Sequence, residues 1–386
     1  MNIETLRFPH FELPDDLKAL RREVRAFLDQ ELKAYSPLER SNTWDGQDPE
    51  FSRKLGARGW LGLTLPKAYG GHERSALERY VVVEEVLAAG APVGYHWIAD
   101  RQSGPLIARY GSEAQKHTII PRITRGEASF CIGMSEPNSG SDLASVKTRA
   151  ERVPEGWLVN GTKIWTSNAH RANYMIALLR TDSSPDSKHK GLSQFLIDLT
   201  TATGITARPI IDLTGRHQFN EVSFVDALLP PDALIGREGD GWKQVTAELA
   251  FERSGPERYL SCYLLLAQLV DVIKDKAEPA ALAKIGTEIA WLASLRTMSL
   301  SVAGMLNAGR DPGLQASIVK NLGCQFEQRL PGLAQELVAL EPTLAGAGID
   351  YQQVLGNLMQ LAPSFSLRGG TLEILRGIIA RGLGIR

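Results

Sequence analysis

Met134-Ser135-Glu136-Pro137-Asn138-Ser139-Gly140-Ser141-Asp142 and Asn160-Gly161-Thr162-Lys163-Ile164-Trp165-Thr166-Ser167-Asn168 are the most informative runs in the chain. The first follows an apolar run, Phe130 to Met134, and is rich in turn-forming residues. Such a loop offers backbone N–H groups and hydroxyls, which suits a phosphate or the polar edge of a flavin. The second alternates into a strand that presents an indole and hydroxyls at its end. Together they form a polar loop and an aromatic strand end suited to a planar cofactor. Taken alone, a loop of this composition reads first as a solvated hairpin.

Outward from this pair the periodicity changes twice. Before it, Leu17, Leu20, Val24, Phe27, Leu28 and Leu32 recur at helical spacing over 15–35, and Pro14-Asp15-Asp16 marks the helix start. Further helices are predicted over 49–58, 75–89, 94–110 and 113–125, with a turn at Pro66-Lys67-Ala68-Tyr69-Gly70-Gly71. From 129 the runs are short and β-branched or alternating: 145–152, 156–160, 174–180, 193–198, 206–211 and 221–224. Residues 181–190 read as an exposed loop. From Gly239 the pattern is helical again, over 240–274, 279–308, 312–340, 350–361 and 371–382, with Pro279 and Pro312 at helix starts. The prediction is a mainly helical α+β fold with three domains. These are an N-terminal helical domain (1–128), a central antiparallel β domain (129–237) and a C-terminal bundle of four-helix type (238–386).

Composition narrows the class. The 386 residues carry a net charge of −1, without the basic excess expected of a nucleic-acid binder. Cys131, Cys262 and Cys324 are far apart and show no C-x-x-C spacing, which predicts buried thiols in a reducing compartment. The seven histidines show no metal-binding spacing, so no metal is expected. Neither a signal peptide nor an uninterrupted apolar run of membrane-spanning length stands out, and the expectation is a cytoplasmic protein without a membrane segment.

The two opening runs, in this order and spacing, resemble the acyl-CoA dehydrogenase family. Its members carry T-E-P-x-x-G-S-D followed by N-G-x-K-x-W-[IT]-[TS]-N, and the resemblance continues over most of the chain. It implies the architecture of helical lobe, β domain and helical bundle, and FAD as cofactor. It implies an acyl-CoA substrate oxidised between Cα and Cβ, with an electron-transfer flavoprotein as acceptor. Met134, Ser135, Gly140, Ser141, Trp165 and Ser167 would contact the flavin. Thr371, at a glycine-preceded helix start, would meet its phosphate or ribose. Ser141 would also face the pantetheine. Arg253, Trp97 and Gly370 would contact the substrate, with the acyl pocket near Tyr95, Trp97 and Asp100-Arg101-Gln102.

Such a reaction needs a carboxylate base in a water-poor place. Family members carry it either in a C-terminal E-G-T or in an E-R pair on the first bundle helix. Here Leu367-Arg368-Gly369-Gly370-Thr371 puts glycine at the first place, and Ala250-Phe251-Glu252-Arg253 supplies the second, ten residues after Trp242. Glu252 is therefore the expected base. Glu248, one turn earlier, is the alternative. Glu257-Arg258 has the wrong offset and reads as a structural ion pair.

Two family segments are missing. Lys274-Asp275-Lys276-Ala277-Glu278-Pro279 stands where R-x-x-F-G is usual, and Glu341-Pro342-Thr343-Leu344 where Q-x-x-G-G is. Both normally reach a neighbouring subunit's dinucleotide. A homo- or hetero-oligomer is expected, and a related chain would supply the missing groups in the second case. The rival readings are a flavin-poor or non-catalytic partner subunit and a flavin monooxygenase or oxidase on the same fold.

Overall fold

A computed structural model describes residues 6–184, 186–252, 255–275, 278–343 and 349–385, leaving out the side chains of 248–252. In chain order the elements are α1 (Asp15–Glu31), α2 (Pro37–Arg40), α3 (Pro49–Ala57), α4 (Ala76–Ala88), α5 (Gly104–Tyr110) and α6 (Glu113–Thr124). The strands follow: β1 (Phe130–Gly133), β2 (Arg149–Val153), β3 (Gly156–Ser167), β4 (Tyr174–Arg180), β5 (Leu192–Asp198), β6 (Ile205–Ile211) and β7 (His217–Leu229). Then come α7 (Gly241–Glu252), α8 (Tyr263–Ile273), α9 (Pro279–Asn307), α10 (Gly313–Leu337), α11 (Asp350–Leu361) and α12 (Leu372–Gly382). They divide into two compact units. One comprises Met1–Gly46, Arg74–Val93 and Ala250–Arg386; the other comprises Gln47–Glu73 and Gly94–Leu249.

The first unit is helical. α1 turns Leu17, Val24, Phe27 and Leu28 inward onto α4, whose start is fixed by the Ser75–Glu78 capping box. α4 in turn packs on α9, and α9 on α10. Leu13, Leu17, Leu77, Tyr80, Val81, Leu300 and Ala303 form a core cluster there. A polar seam runs through it: Glu84 takes Arg21 at 2.6 Å and Arg296 at 2.8 Å, and Tyr80 Oη meets Tyr259 Oη at 2.9 Å.

The continuous helix expected over 240–274 is broken. α7 is described as far as Glu252, Pro256–Arg258 is a 3-10 turn, and α8 restarts at Tyr263. Gly255-Pro256 explains the interruption, since proline lacks the N–H and its ring clashes with the preceding turn. α9 carries an 18-residue window of mean hydropathy 1.3, long and apolar enough to cross a membrane by length and composition. Core helices pass the same test, and α9 packs against α4 and α10.

The second unit carries the sheet. Its strand order is β1-β4-β2-β3-β7-β6, with β5 on β4. The purely antiparallel arrangement expected is corrected to a mixed one. β1 runs parallel to β4 from Phe130↔Tyr174 to Gly133↔Ala177, and β2 touches β4 in parallel at Arg149↔Arg180. The intervening β2–β3 hairpin supplies the long crossover that parallel pairing requires. Trp157, Val159, Met175, Phe195, Val222 and Phe224 make its core. A second cluster joins α5 and α6 to Phe130, Tyr174 and Ile176. The helix expected over 94–110 passes through a π-helical turn, Ala99–Ser103, before α5. The loop over 181–190 is tied down by His189, whose ring stacks on Trp242 at 4.5 Å.

Candidate functional site

Counting by twos from Trp157 and Val159 along β3 brings Lys163 to the inward face. It is fully buried, and its Nζ donates to Glu136 Oε1 at 2.8 Å and to Met134 O at 3.0 Å. Glu136 also accepts the N–H groups of Lys147 at 2.6 Å and Thr148 at 2.8 Å. Burial works to raise the Glu136 carboxyl, but the Lys163 charge and these hydrogen bonds outweigh it and hold it below its usual range. Burial lowers the Lys163 ammonium to about 8, a fall that the Glu136 charge limits.

The pair clamps the polar loop at its root. Beyond Glu136 the loop closes on itself through reciprocal Glu136–Ser139 backbone bonds, and Ser139 Oγ donates to Asp142 O at 2.7 Å. Gly140 and Ser141 are left exposed on its outer side. Ile164 N–H donates to Ser135 O at 2.9 Å, so the half-buried Met134 and Ser135 lie beside the end of β3.

There β3 bulges. Its register with β7 shifts between Lys163↔Val222 and Thr166↔Asn220. The extra residue is Trp165, at φ 59° and 57% exposed, with Phe219 edge-on at 6.0 Å. Positive φ is uncommon for a tryptophan, and local bonds hold it. Buried Asn220 donates Nδ2–H to Thr166 O at 3.0 Å and meets His217 Nε2 at 2.7 Å. His217 stacks on His170 at 3.7 Å, and Asn168 N–H donates to Gln218 O at 2.8 Å. Met134, Ser135, Trp165 and Ser167 are thus gathered at one sheet end, with Gly140 and Ser141 on the adjoining loop. An exposed indole ringed by hydroxyls and backbone amides fits the edge and face of a flavin. Asn220→Ala is expected to cost about 1–3 kcal/mol by orphaning Thr166 O, read as a lower urea midpoint.

The other expected residues are distributed differently. Thr371 caps α12, accepting Ile374 N–H at 3.5 Å, after two glycines at φ 66° and 96°. Gly370 O accepts from buried Lys320. Both belong to the helical unit. Glu252 is the last residue of α7; its side chain and that of Glu248 lie outside the described residues, as does Arg253. Trp97 is 5% exposed in the sheet-bearing unit, beneath the Arg101 guanidinium at 5.2 Å. Around it, Asp100 Oδ1 accepts Gly62 N–H at 2.6 Å, and Tyr95 Oη donates to Glu127 O at 3.3 Å. These polar groups satisfy the unit's own backbone. Among the described residues no cluster of three or more His, Cys, Asp or Glu is placed to hold a metal ion. The three cysteines are buried free thiols.

Sequence reasoning quoted Glu136 and Lys163 without giving them a role, and it missed Asn220 and His217. The period-two count along β3 was the signal for Lys163. Nothing local announces Asn220, because its partner Thr166 is 54 residues away.

Residues 14–127, 131–227 and 239–384 match the N-terminal, middle and C-terminal domain families described as acyl-CoA dehydrogenase. Acyl-CoA dehydrogenase IpdE1 of Mycobacterium tuberculosis is 31% identical over 387 residues, covering 96% of this chain and 98% of its own. Acyl-CoA dehydrogenase FadE29 of the same organism is 32% identical, covering 96% of each. Among solved structures, the Tcur3481-Tcur3483 steroid ACAD superposes with a TM-score of 0.87 at 29% identity, covering 97% of this chain and 99% of that one. The ChsE4-ChsE5 complex from Mycobacterium tuberculosis gives 0.83 at 27% identity, covering 98% and 99%.

Proposed function

The chain belongs to the acyl-CoA dehydrogenase family, a family of oxidoreductases with FAD as cofactor, and on that footing we propose that it desaturates a ring-bearing acyl-CoA between Cα and Cβ. The observation that carries the reading is the bulge presenting Trp165 beside Met134 and Ser135, a seat for a flat cofactor. Bound FAD supplies the hydride acceptor. Met134, Ser135, Gly140, Ser141, Trp165 and Ser167 hold its ring end, and Thr371 at the start of α12 holds phosphate or ribose. Glu252 takes the α-proton onto its carboxylate. Ser141, Arg253, Trp97 and Gly370 contact the thioester and acyl group.

The ring-bearing acyl group is inferred from the steroid ACAD among the similar structures. An electron-transfer flavoprotein reoxidises the enzyme. The segment between α8 and α9 lacks the arginine–phenylalanine pair of ordinary relatives, which supports assembly with a related chain, as in the ChsE4-ChsE5 complex. Anaerobic titration of the purified protein with straight, branched and ring-bearing acyl-CoAs tests the reading. Ring-bearing thioesters should bleach the flavin absorbance fastest. If no thioester bleaches a flavin-loaded sample, the reading is wrong. A colourless preparation that turns yellow and active only with a related chain would establish the partner-subunit alternative instead.

A further inference from the structure

The Asn220 amide has only one orientation that satisfies its neighbours. It meets Thr166 O at 3.0 Å, and a carbonyl can only accept, so Nδ2 stands there. Oδ1 therefore faces His217 Nε2, at 2.7 Å, and His217 carries its proton on that nitrogen. The His217 ring lies against the His170 ring, 3.7 Å between centres and 17° from parallel. His170 has the opposite tautomer. Its Nε2 accepts the Arg171 Nε–H at 2.8 Å, so its proton sits on Nδ1. One relay of contacts thus runs from the carbonyl next to Trp165 out to His170, which is exposed at the surface.

Every link of the relay suits neutral histidines. A proton added to His170 must go to Nε2. There it removes the acceptor for Arg171 and sets two donors against each other, one of them on a guanidinium that keeps its charge. A proton on each ring would put two positive charges face to face. The charged and titratable groups that act on His170 are Arg171 in its own turn and His217 across the stack. The hairpin that carries His217 also holds Asp212, whose carboxylate accepts the Arg216 N–H at 3.2 Å. Burial, Arg171 and His217 lower His170 below its usual range, and the Asn220 side chain offsets only part of that. The stacked state therefore takes up a proton less readily than an ordinary histidine of pKa about 6.5. Its contribution is complete above that pH and is lost as the pH falls from there toward the lowered value of His170.

The backbone at the inner end of the relay needs holding. Trp165 at φ 59° and Asn168 at φ 58° both occupy the left-handed region. Arg171 N–H and Ala172 N–H both donate to Asn168 O at 3.0 Å, and the turn they close delivers His170 to the stack. We propose that His217 is a positioning residue for the Trp165 indole: with Asn220 it fixes the bulge, and with His170 it makes that fixation proton-sensitive, so that mild acid loosens the seat for the flat cofactor. The flavin part of this rests on the acyl-CoA dehydrogenase reading above.

The test uses the flavin-loaded protein, with its partner chain if it requires one, and follows the dissociation constant of FAD from about pH 7.5 to about pH 5.5. Wild type should bind about tenfold more weakly at the acid end. His170→Phe keeps a flat ring without titrating nitrogens, and should change by less than about threefold over the same range. His217→Phe removes the donor to Asn220 and should weaken FAD by about tenfold at the neutral end. His217→Gln returns an N–H to Asn220, and should recover most of that loss while keeping a flat pH profile. A merely structural histidine would weaken binding without flattening the profile. A readout that needs no flavin is the indole N–H resonance of Trp165, assigned by its disappearance in Trp165→Phe. It should move with acid in the wild type and stay in place in His170→Phe. A pH profile as steep in His170→Phe as in wild type, or a resonance that moves equally in both, would overturn the proposal. Should His217→Phe fail to fold, His170→Phe decides by the same two measurements. A resonance that behaves as stated in a protein that binds no FAD would leave the relay standing and sink the dehydrogenase reading alone.

Discussion

Glu252→Gln is expected to keep its flavin and to lose the bleaching of flavin absorbance by acyl-CoA, with the rate falling by about 10²–10⁴-fold. The substitution preserves size and removes only the ability to accept a proton. The assignment rests on its place in the chain, the E-R pair ten residues after Trp242. Gly369 and Gly370 leave no acid at the alternative C-terminal place. Stopped-flow mixing under anaerobic conditions reads the result. Normal bleaching in the variant would move the assignment to Glu248.

The second large effect concerns the clamp under the proposed flavin seat. Lys163→Met should destabilise the protein by about 3–5 kcal/mol, because Glu136 is then a buried carboxylate without its counter-charge. Its two backbone donors, Lys147 and Thr148, remain, and they do not replace a full positive charge. The loop carrying Gly140 and Ser141 would lose its root, so flavin should be shed on gel filtration. Adding Glu136→Gln removes the stranded charge, and the double variant should be less destabilised than the sum of the two singles. Urea unfolding curves measure the energies. A Lys163→Met protein within about 1 kcal/mol of wild type, still yellow, would show that the pair is not a clamp.

Local chemistry made much of this legible. The helix over 350–361 and the strand over 174–180 lie where periodicity put them, because each buries a regular face bounded by turn residues. The proposed flavin seat was legible as two motifs, because loop and strand end are each contiguous. What the sequence hid depends on residues far apart. The parallel pairing of β1 with β4 joins positions 44 residues apart, across a hairpin that itself pairs antiparallel. The bulge at Trp165 is set by Asn220 on another strand. The break after Glu252 was written in Gly255-Pro256, but strong flanking helix signals overrode it. The Arg368 guanidinium lies 4.3 Å from the ring centre of Trp44, a residue far away in the chain, so no local pattern could reveal that contact.

The division of the chain into two units sets an order of synthesis. The sheet-bearing unit is complete once Leu249 has been made, and most of it is one unbroken run. The helical unit needs both ends of the chain: Asn357 Nδ2 donates to Ser41 Oγ across 316 residues. The pair of α1 and α4 must wait, with the face that meets α9 uncovered, until α9 has emerged from the ribosome. For α1 and α4 that wait is a period of exposure to proteases and to other nascent chains. Newly made protein is therefore expected to depend on chaperones chiefly through Met1–Gly46 and Arg74–Val93, the segments of the helical unit that precede the sheet.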